Sequence, residues 1–348
     1  MNRARNMTAI VTLATLAAVV GGAAHMPHAV FPAWLAVCAA WVGWPLGSMA
    51  LLLVHALTGG RWGDALGPAL RGGIVTLPLG LLALAGVMWG ARDLYPWMHP
   101  DGPLSNGFYL NGSFALGRVV LYLLVWGGLG ALCLRGGDLA RVAPAGLIAL
   151  AFTFGFAAID LTESLDSRFS SSAYGLIASA GAVLEAFAIA VLMEGTRAAG
   201  ARVSPDLARL MLGLTVLWAY LDFMQFLIIW QSNLPVEAAW YGPRLRGTWG
   251  MVAVGIVMLH FVLPFGLLVA SPLQARRGVV LTVAGLLVGM ETLRNLWLVL
   301  PTWMGPFPLF GVLGSLVVLG GGSALLVARH MEREGATSSR MRMDGAHV

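Results

Sequence analysis

Ten apolar stretches, each long enough to cross a lipid bilayer as a helix, constrain this chain more than any other feature. About 20 consecutive apolar residues span the ~30 Å hydrocarbon core of a membrane. Such stretches lie at roughly 7–24, 30–57, 72–91, 113–134, 142–160, 173–196, 207–231, 248–270, 279–301 and 307–329. Only 11% of the residues are charged and 58% are apolar, whereas about 25% of an average soluble domain is charged. The sequence therefore predicts an all-α polytopic membrane protein with about ten transmembrane helices.

The first two stretches carry features that affect how they cross the membrane. The first follows Arg3 and Arg5 and ends in small residues at 21–24, a pattern shared with cleavable signal peptides. We predict a transmembrane helix here, with a signal peptide as the alternative. The second stretch is long enough to tilt or to kink at Pro45.

Arginine, the only basic residue type in the chain apart from histidine, predicts the orientation. With the N-terminus inside, 15 arginines fall in inside segments and four in outside segments, while Arg118 and Arg294 lie within spans. Inside loops of membrane proteins carry the excess of positive charge. We therefore expect both termini to be cytoplasmic, with residues 331–348 as a disordered tail. A net charge of +5 is too dilute for a nucleic-acid partner.

Several classes of redox and metal chemistry are disfavoured by composition. Cys38 and Cys133 are the only cysteines, too few for a disulfide scaffold, a four-cysteine iron–sulfur site or a cysteine-rich zinc site. Only His55 and His260 lie in spans, and His55 is close to the inner end, which argues against paired haem ligands. No Walker A, GxGxxG or HExxH motif occurs. We therefore predict no metal site and no covalently bound cofactor.

Ionisable residues inside the spans are the strongest functional signal in the sequence. Each costs at least ~2.5–3.5 kcal/mol at the bilayer centre unless it is paired. The set comprises Arg118, Asp160, Glu185, Asp222, His260, Glu291 and Arg294. Glu291 and Arg294 share a helix face at i,i+3 spacing, which predicts an ion pair, and Asp222 shares a face with Gln225. One interpretation is structural pairing between helices; the other is a chain of groups that carries protons or holds the polar head of a lipid-soluble substrate.

The connections on the two sides of the membrane differ in length and composition. Inside connections are short and basic, whereas the outer segments 92–112, 161–172 and 232–247 are longer and rich in aromatic and acidic residues. Irregular backbone at membrane depth survives only where water or protein satisfies it. We therefore expect a site or a partner protein on the outer face.

A series of outer-face motifs resembles a known family. It consists of Tyr95-Pro96-Trp97, Tyr109-Leu110-Asn111, Asp160, Ser164-Leu165-Asp166, Tyr174-Gly175, Asn233-Leu234-Pro235, Glu237, Trp240-Tyr241, Arg244, His260-Phe261-Val262-Leu263-Pro264-Phe265 and Arg276-Arg277. The series, over roughly 70–330, resembles the NrfD-like (polysulfide reductase membrane subunit) superfamily. Within it, the chain is most similar to the second quinone-binding subunit of quinol:cytochrome c oxidoreductase, the alternative complex III.

The resemblance implies an architecture, a set of partners and a location. The central eight helices are expected to form two four-helix bundles, at 71–200 and 201–330, after two N-terminal helices at 1–70. The subunit would have no redox cofactor of its own and would use quinone or quinol as substrate in the bacterial inner membrane. Its expected partners are an iron–sulfur/molybdopterin-like subunit, a homologous NrfD-like subunit and cytochrome c subunits, which hold iron–sulfur clusters and haem c.

The resemblance, together with the buried polar residues, also supplies candidate site residues. The candidates for binding quinone are Arg118, Asp166, Asp222, Gln225, Tyr241 and Arg244. The candidates for a proton path are Asp160, Glu185, Glu237, His260, Glu291 and Arg294. A carboxylate such as Asp222 suits quinol binding because it can accept the proton of a quinol hydroxyl.

The chain departs from the family pattern at several positions, and two other functions remain open. Where the family has aromatic or Pro-His-Trp-like residues, this chain has Leu161 and Ser167-Arg168-Phe169, and Arg294 stands where an acidic residue is expected. These changes motivate the alternative of a structural anchor that has lost the chemistry. The midplane ionisable residues would also suit a secondary transporter or a proton channel.

Overall fold

The computed structural model describes residues 2–100, 102–104, 106–197, 205–232, 234–303, 305 and 307–344, and every regular element among them is helical. The helices are α1 (Asn2–His25), α2 (Pro27–Thr58), α3 (Arg61–Ile74), α4 (Leu79–Trp89), α5 (Ala91–Leu94), α6 (Gly112–Arg135), α7 (Leu139–Leu161), α8 (Tyr174–Arg197), α9 (Pro205–Ser232), α10 (Pro235–Tyr241), α11 (Gly247–Ile256), α12 (Leu263–Val269), α13 (Ser271–Gln274), α14 (Arg277–Val299) and α15 (Leu309–Asp344). Short 3₁₀ turns occupy Pro96–Met98, Glu163–Leu165 and Leu300–Thr302.

The chain is an all-α polytopic membrane protein. Within the described ranges, nine helices are long and apolar enough to cross a membrane, and there are ten spans if the bent pair α3–α4 is counted as one. This confirms the fold class and agrees with the prediction of about ten spans. The sequence predicted one helix at 72–91, but the span begins at Arg61 and bends by 45° between α3 and α4. Pro78 explains the break, because proline lacks an N–H and its ring clashes with the preceding turn of an α-helix.

The eighth span contains a π-helical turn at Val257–Val262 between α11 and α12. The N–H of Leu263 bonds the carbonyl of Met258, five residues back, rather than the carbonyl four residues back as in an α-helix. Pro264 follows, and a proline removes one backbone bond and crowds the carbonyl four residues before it, here that of His260. The wider turn accommodates that crowding and places His260, which is fully buried, on the inward face.

Helix α2 lies at the centre of the protein and is its most buried span. It packs against α3, α7, α8, α14 and α15. Gly47 allows its close approach to α8, because an added Cβ would lie 2.1 Å from the carbonyl oxygen of Ala182. The sequence-based division set residues 1–70 apart from the bundles, but here α2 forms part of the core.

The last helix, α15, packs along α1 and α2, although the sequence-based division grouped it with the helices of 201–330. Arg5 of α1 donates to Glu332 of α15 at 2.9 Å. Helix α15 also continues to Asp344, past residue 330, where the sequence predicted a disordered tail; residues 345–348 lie outside the described part.

The segments after α5, α7 and α9 meet on one side of the bundle, which we call the long-loop face. Tyr95 donates its hydroxyl to the carbonyl of Leu161 at 3.1 Å, and the rings of Phe169 and Trp240 stack 4.5 Å apart. The three longer segments predicted from the sequence therefore form one packed layer, and it covers the ends of the central helices.

Candidate functional site

A polar cavity of about 40 Å³ lies among α2, α7, α8, α9 and α14. It extends from the middle of α8 to the ends of the helices at the long-loop face. Its polar lining is Thr162, Tyr174, Glu185, Gln225, Glu291, Arg294 and Asn295. A buried water needs roughly 10–15 Å³, whereas benzene occupies a cavity of about 150 Å³. The cavity as it stands therefore has room for a few waters but not for an aromatic ring.

Glu185 lies at the inner end of this cavity, near the middle of α8. Its side chain is buried, and Oε2 has no hydrogen-bond partner among the described residues. Gly43 of α2 provides the space, because an added Cβ would lie 2.6 Å from this oxygen. A buried carboxyl oxygen without a protein partner requires a water or a proton, and the cavity that it lines can supply either.

Glu291 and Arg294 form the ion pair that their spacing predicted, with 3.6 Å between Oε1 and Nη1. The closer partner of Arg294 is Asp222 of α9, at 2.6 Å from Nη2 to Oδ1. Asn295 donates to the same Glu291 oxygen at 3.3 Å. Arg294 therefore joins carboxylates of two helices, and the tertiary pairing with Asp222 was not part of the sequence-based prediction.

His260 extends this network into the π-helical turn. Its Nε2 lies 3.8 Å from Oε2 of Glu291, which is too long for a hydrogen bond. Its ring packs against the Trp218 ring with centroids 3.9 Å apart. Neither ring nitrogen of His260 has a hydrogen-bond partner among the described residues. A small shift or one water would connect the imidazole to Glu291.

Asp222 is the member of the network that reaches the side of the bundle. Its side chain is 37% exposed, whereas that of Arg294 is only 6% exposed. Tyr220 and Phe223 beside it are strongly exposed as well. Since α9 is a transmembrane span, this exposed surface faces lipid or a partner subunit. Asp222 is therefore exposed at the side of the bundle, outside the cavity lining.

Gln225 connects the cavity to the long-loop face. It is buried and accepts a hydrogen bond of 2.7 Å from the hydroxyl of Ser171. Its amide donates to the hydroxyl of Tyr241 at 3.4 Å. Burial raises the pKa of Tyr241 to about 12, so this hydroxyl keeps its proton at neutral pH.

Arg118 and Asp160 form a closed cluster outside the cavity lining. Arg118 makes two hydrogen bonds to Asp160, at 2.8 and 2.9 Å. Tyr122 donates to the same carboxylate at 2.7 Å, and the guanidinium lies 3.8 Å from the centre of the Tyr109 ring. These bonds occupy both groups, so the cluster ties α6 to α7 and leaves little of Arg118 for a ligand.

Arg244 is buried, has no carboxylate partner among the described residues and bonds backbone carbonyls. It donates to the carbonyl of Leu298 at 2.6 and 3.1 Å and to that of Trp240 at 2.6 Å. These carbonyls end α14 and α10, where a positive charge is favourable. Burial lowers the pKa of Arg244 to about 10, so the side chain stays charged at neutral pH. Its contacts assign it to holding the long-loop face together.

The two remaining predicted site residues lie away from the cavity. Asp166 is partly exposed and pairs with Arg168 at 3.2 Å within the same loop. Glu237 is partly exposed on α10 and does not line the cavity. Of the twelve candidates, the structure brings together Glu185, Asp222, Gln225, Tyr241, His260, Glu291 and Arg294.

The sequence-based prediction missed several residues of this site. Glu163, Ser171, Asn295 and Trp218 contact the network, and Gly43 makes room for a carboxyl group. An acidic residue directly after a span, as at Glu163, was a usable signal. Nothing in the sequence distinguishes Gly43 from the other glycines, because its role depends on α8 lying opposite.

Replacing Gly43 by alanine tests the tight fit around Glu185. The new Cβ would lie 2.6 Å from Oε2 of Glu185 and 3.2 Å from the backbone of Ala182, and overpacking of this kind costs about 1–3 kcal/mol. We expect a lower midpoint in thermal unfolding of the detergent-solubilised protein. Gly213→Ala is the control, because a Cβ added there would have no atom within 4 Å. Equal stability of the two variants would contradict the close approach of α2 and α8.

No protein-family model matches this chain, and no curated protein is significantly similar to it. The geometry of the cavity and the network around it must therefore carry the functional assignment.

Proposed function

We propose that this chain is a quinol-interacting, proton-conducting membrane subunit of a respiratory electron-transfer complex. The observation that carries this proposal is the water-sized cavity lined by Glu185 and Glu291. Each of these residues has a carboxyl oxygen without a hydrogen-bond partner among the described residues. Unpartnered carboxyl groups at membrane depth, beside space for water, are the components of a proton path.

In this proposal the quinol headgroup binds at the exposed side of α9 beside Asp222. The cavity is too small for the ring, whereas Asp222 is exposed at the side of α9 between aromatic residues. Arg294 holds Asp222 in position as an acceptor for a hydroxyl proton of the quinol. Glu291, His260 and Glu185 then offer acceptors along the way into the cavity.

The NrfD-like resemblance supplies the destination of the electrons. Oxidation of one quinol to quinone releases two protons and two electrons. The protons would enter the network at Asp222, and the electrons would leave to iron–sulfur clusters and haem c on partner subunits in the bacterial inner membrane. This chain would supply the binding surface, the proton acceptors and their orientation.

A secondary transporter or proton channel is the second candidate function. The unpartnered carboxyl oxygens in a water-sized cavity favour it as well, because proton flux through such a cavity needs no electron acceptor. Proton flux in proteoliposomes containing only this chain, without quinone, would favour the channel. A structural anchor would be favoured if neutral variants of the cavity carboxyl groups left quinol oxidation by the host complex unchanged.

The Asp222→Asn variant tests the proposed quinol position. The amide keeps the size of the side chain but cannot take up a quinol proton, and loss of such an acceptor typically slows a reaction by about 10²–10⁴-fold. We expect the quinol oxidation rate of the purified host complex to fall by at least that lower bound. Asp93→Asn is the control, because Asp93 is an exposed carboxylate on α5 and is not a member of the network. An unchanged rate in the Asp222 variant would refute this position for quinol.

A further inference from the structure

Glu163 is a buried carboxyl group at the long-loop face that the network described above does not include. It begins the short 3₁₀ turn after α7, and only 5% of the residue is exposed. Its Oε1 accepts a hydrogen bond of 2.6 Å from the backbone N–H of Ser171. Its Oε2 is buried and has no hydrogen-bond partner among the described residues. This oxygen therefore requires a water or a proton, as that of Glu185 does.

A single residue, Ser171, connects Glu163 to the polar cavity. Its N–H bonds Glu163, and its hydroxyl donates at 2.7 Å to Gln225, which lines the cavity. Thr162, the residue before Glu163, also lines the cavity and accepts a hydrogen bond of 2.8 Å from the hydroxyl of Tyr174. Glu163 thus lies just beyond the end of the cavity at the long-loop face.

The residues around Glu163 also extend to the protein surface. Ser171 is partly exposed, and its neighbours Ser170 and Ser172 are exposed. Glu163 follows a residue that lines the cavity and bonds a partly exposed residue, so it lies close to both the cavity and the surface of the long-loop face.

Glu163 differs from the nearby carboxyl groups of Asp160 and Asp166. Asp160 accepts two hydrogen bonds from Arg118 and one from Tyr122, and Asp166 is paired with Arg168. The hydrogen bonds from these partners occupy both carboxylate oxygens of Asp160 and of Asp166. Glu163 forms no ion pair within the described residues and has one oxygen free, so it is the carboxyl group of this loop that is suited to gain and lose a proton.

We propose that Glu163 is the residue through which protons pass between the cavity and the water at the long-loop face, which rests on the proposed proton-conducting function. A hydronium in the cavity protonates the carboxylate, leaving water and a neutral carboxylic acid. The acid then releases that proton to water at the face and returns to the carboxylate.

Deuterium exchange of the inner carboxyl groups, followed by infrared spectroscopy, tests this role in the full-length protein in liposomes. The C=O band of Glu185 is assigned as the band lost in Glu185→Gln. After a shift from H₂O to D₂O, we expect this band to exchange at least about tenfold more slowly in Glu163→Gln than in the unaltered protein. Glu163→Asp, which keeps a carboxyl group, should restore most of the rate, and Asp93→Asn should not change it.

Two outcomes separate failure of this inference from failure of the proposed function. An unchanged exchange rate in Glu163→Gln, with the Glu185 band present, would overturn the role of Glu163 and leave the proton path intact. Absence of any exchanging band that depends on Glu185 would instead overturn the proton path itself. Thermal unfolding midpoints of the Glu163 variants equal to that of the unaltered protein would confirm that slower exchange does not come from misfolding.

Discussion

Replacing Glu185 by glutamine is expected to abolish proton transfer through the protein while leaving its fold intact. Glu185 lines the cavity at the middle of α8, with an oxygen that no described residue bonds. Glutamine fills the same space beside Gly43 but cannot gain or lose a proton. Loss of a proton-transferring group slows a reaction by about 10²–10⁴-fold, and we expect a loss of at least that lower bound.

The measurement is proton uptake by proteoliposomes during quinol oxidation by the host complex. Glu194→Gln is a matched control, because Glu194 lies on the same helix near its end at Arg197 and is partly exposed. The control should retain the rate of the unaltered complex. Full proton uptake in Glu185→Gln would show that the cavity is not on the proton path, whatever its effect on electron transfer.

Replacing Arg294 by methionine is expected to destabilise the protein by about 3–5 kcal/mol, the usual effect of removing one partner from a buried ion pair. Arg294 bonds Asp222 at 2.6 Å and lies 3.6 Å from Glu291. Its loss would leave two carboxylates inside the membrane without a counter-charge. Denaturant unfolding in detergent micelles measures this change in free energy.

Two further variants test why Arg294→Met is expected to be less stable. One replaces a surface arginine, and the other also neutralises the two carboxylates that Arg294 leaves unpaired. Arg209 is 63% exposed and pairs with Asp206, so Arg209→Met should change stability by at most about 1 kcal/mol. Combining Arg294→Met with Asp222→Asn and Glu291→Gln removes the unpaired charges and should recover most of the lost stability. If the triple variant were as unstable as Arg294→Met, lost packing rather than unpaired charge would be the cause.

The transmembrane helices were predictable because hydropathy acts locally. A run of about 20 apolar residues must form a helix in lipid to satisfy its backbone, whatever its neighbours are. The predicted bounds were wrong for the third span, where a bend interrupts the helix. The third span bends after α3 and starts earlier than its apolar run, because α3 contains the charged residues Arg61, Asp64 and Arg71.

The candidate site was predictable only in part. The i,i+3 spacing of Glu291 and Arg294 predicted their pairing, since both lie on one helix. The closer bond of Arg294 to Asp222 joins residues 72 positions apart, and no periodicity in the sequence indicates it. The same holds for Arg118, which was a candidate for quinone but is occupied by Asp160.

By itself, the sequence determined that this protein is a helical membrane protein and which ionisable residues lie within its spans. Those features follow from the free energy of placing each side chain in lipid, a property of the residue and its near neighbours. Only the tertiary structure decided which of these charged groups pair with one another and which, like Glu185, keep a free oxygen beside a cavity. That division depends on helices far apart in the chain, since a buried charge is stabilised by whatever group the fold brings within hydrogen-bond distance.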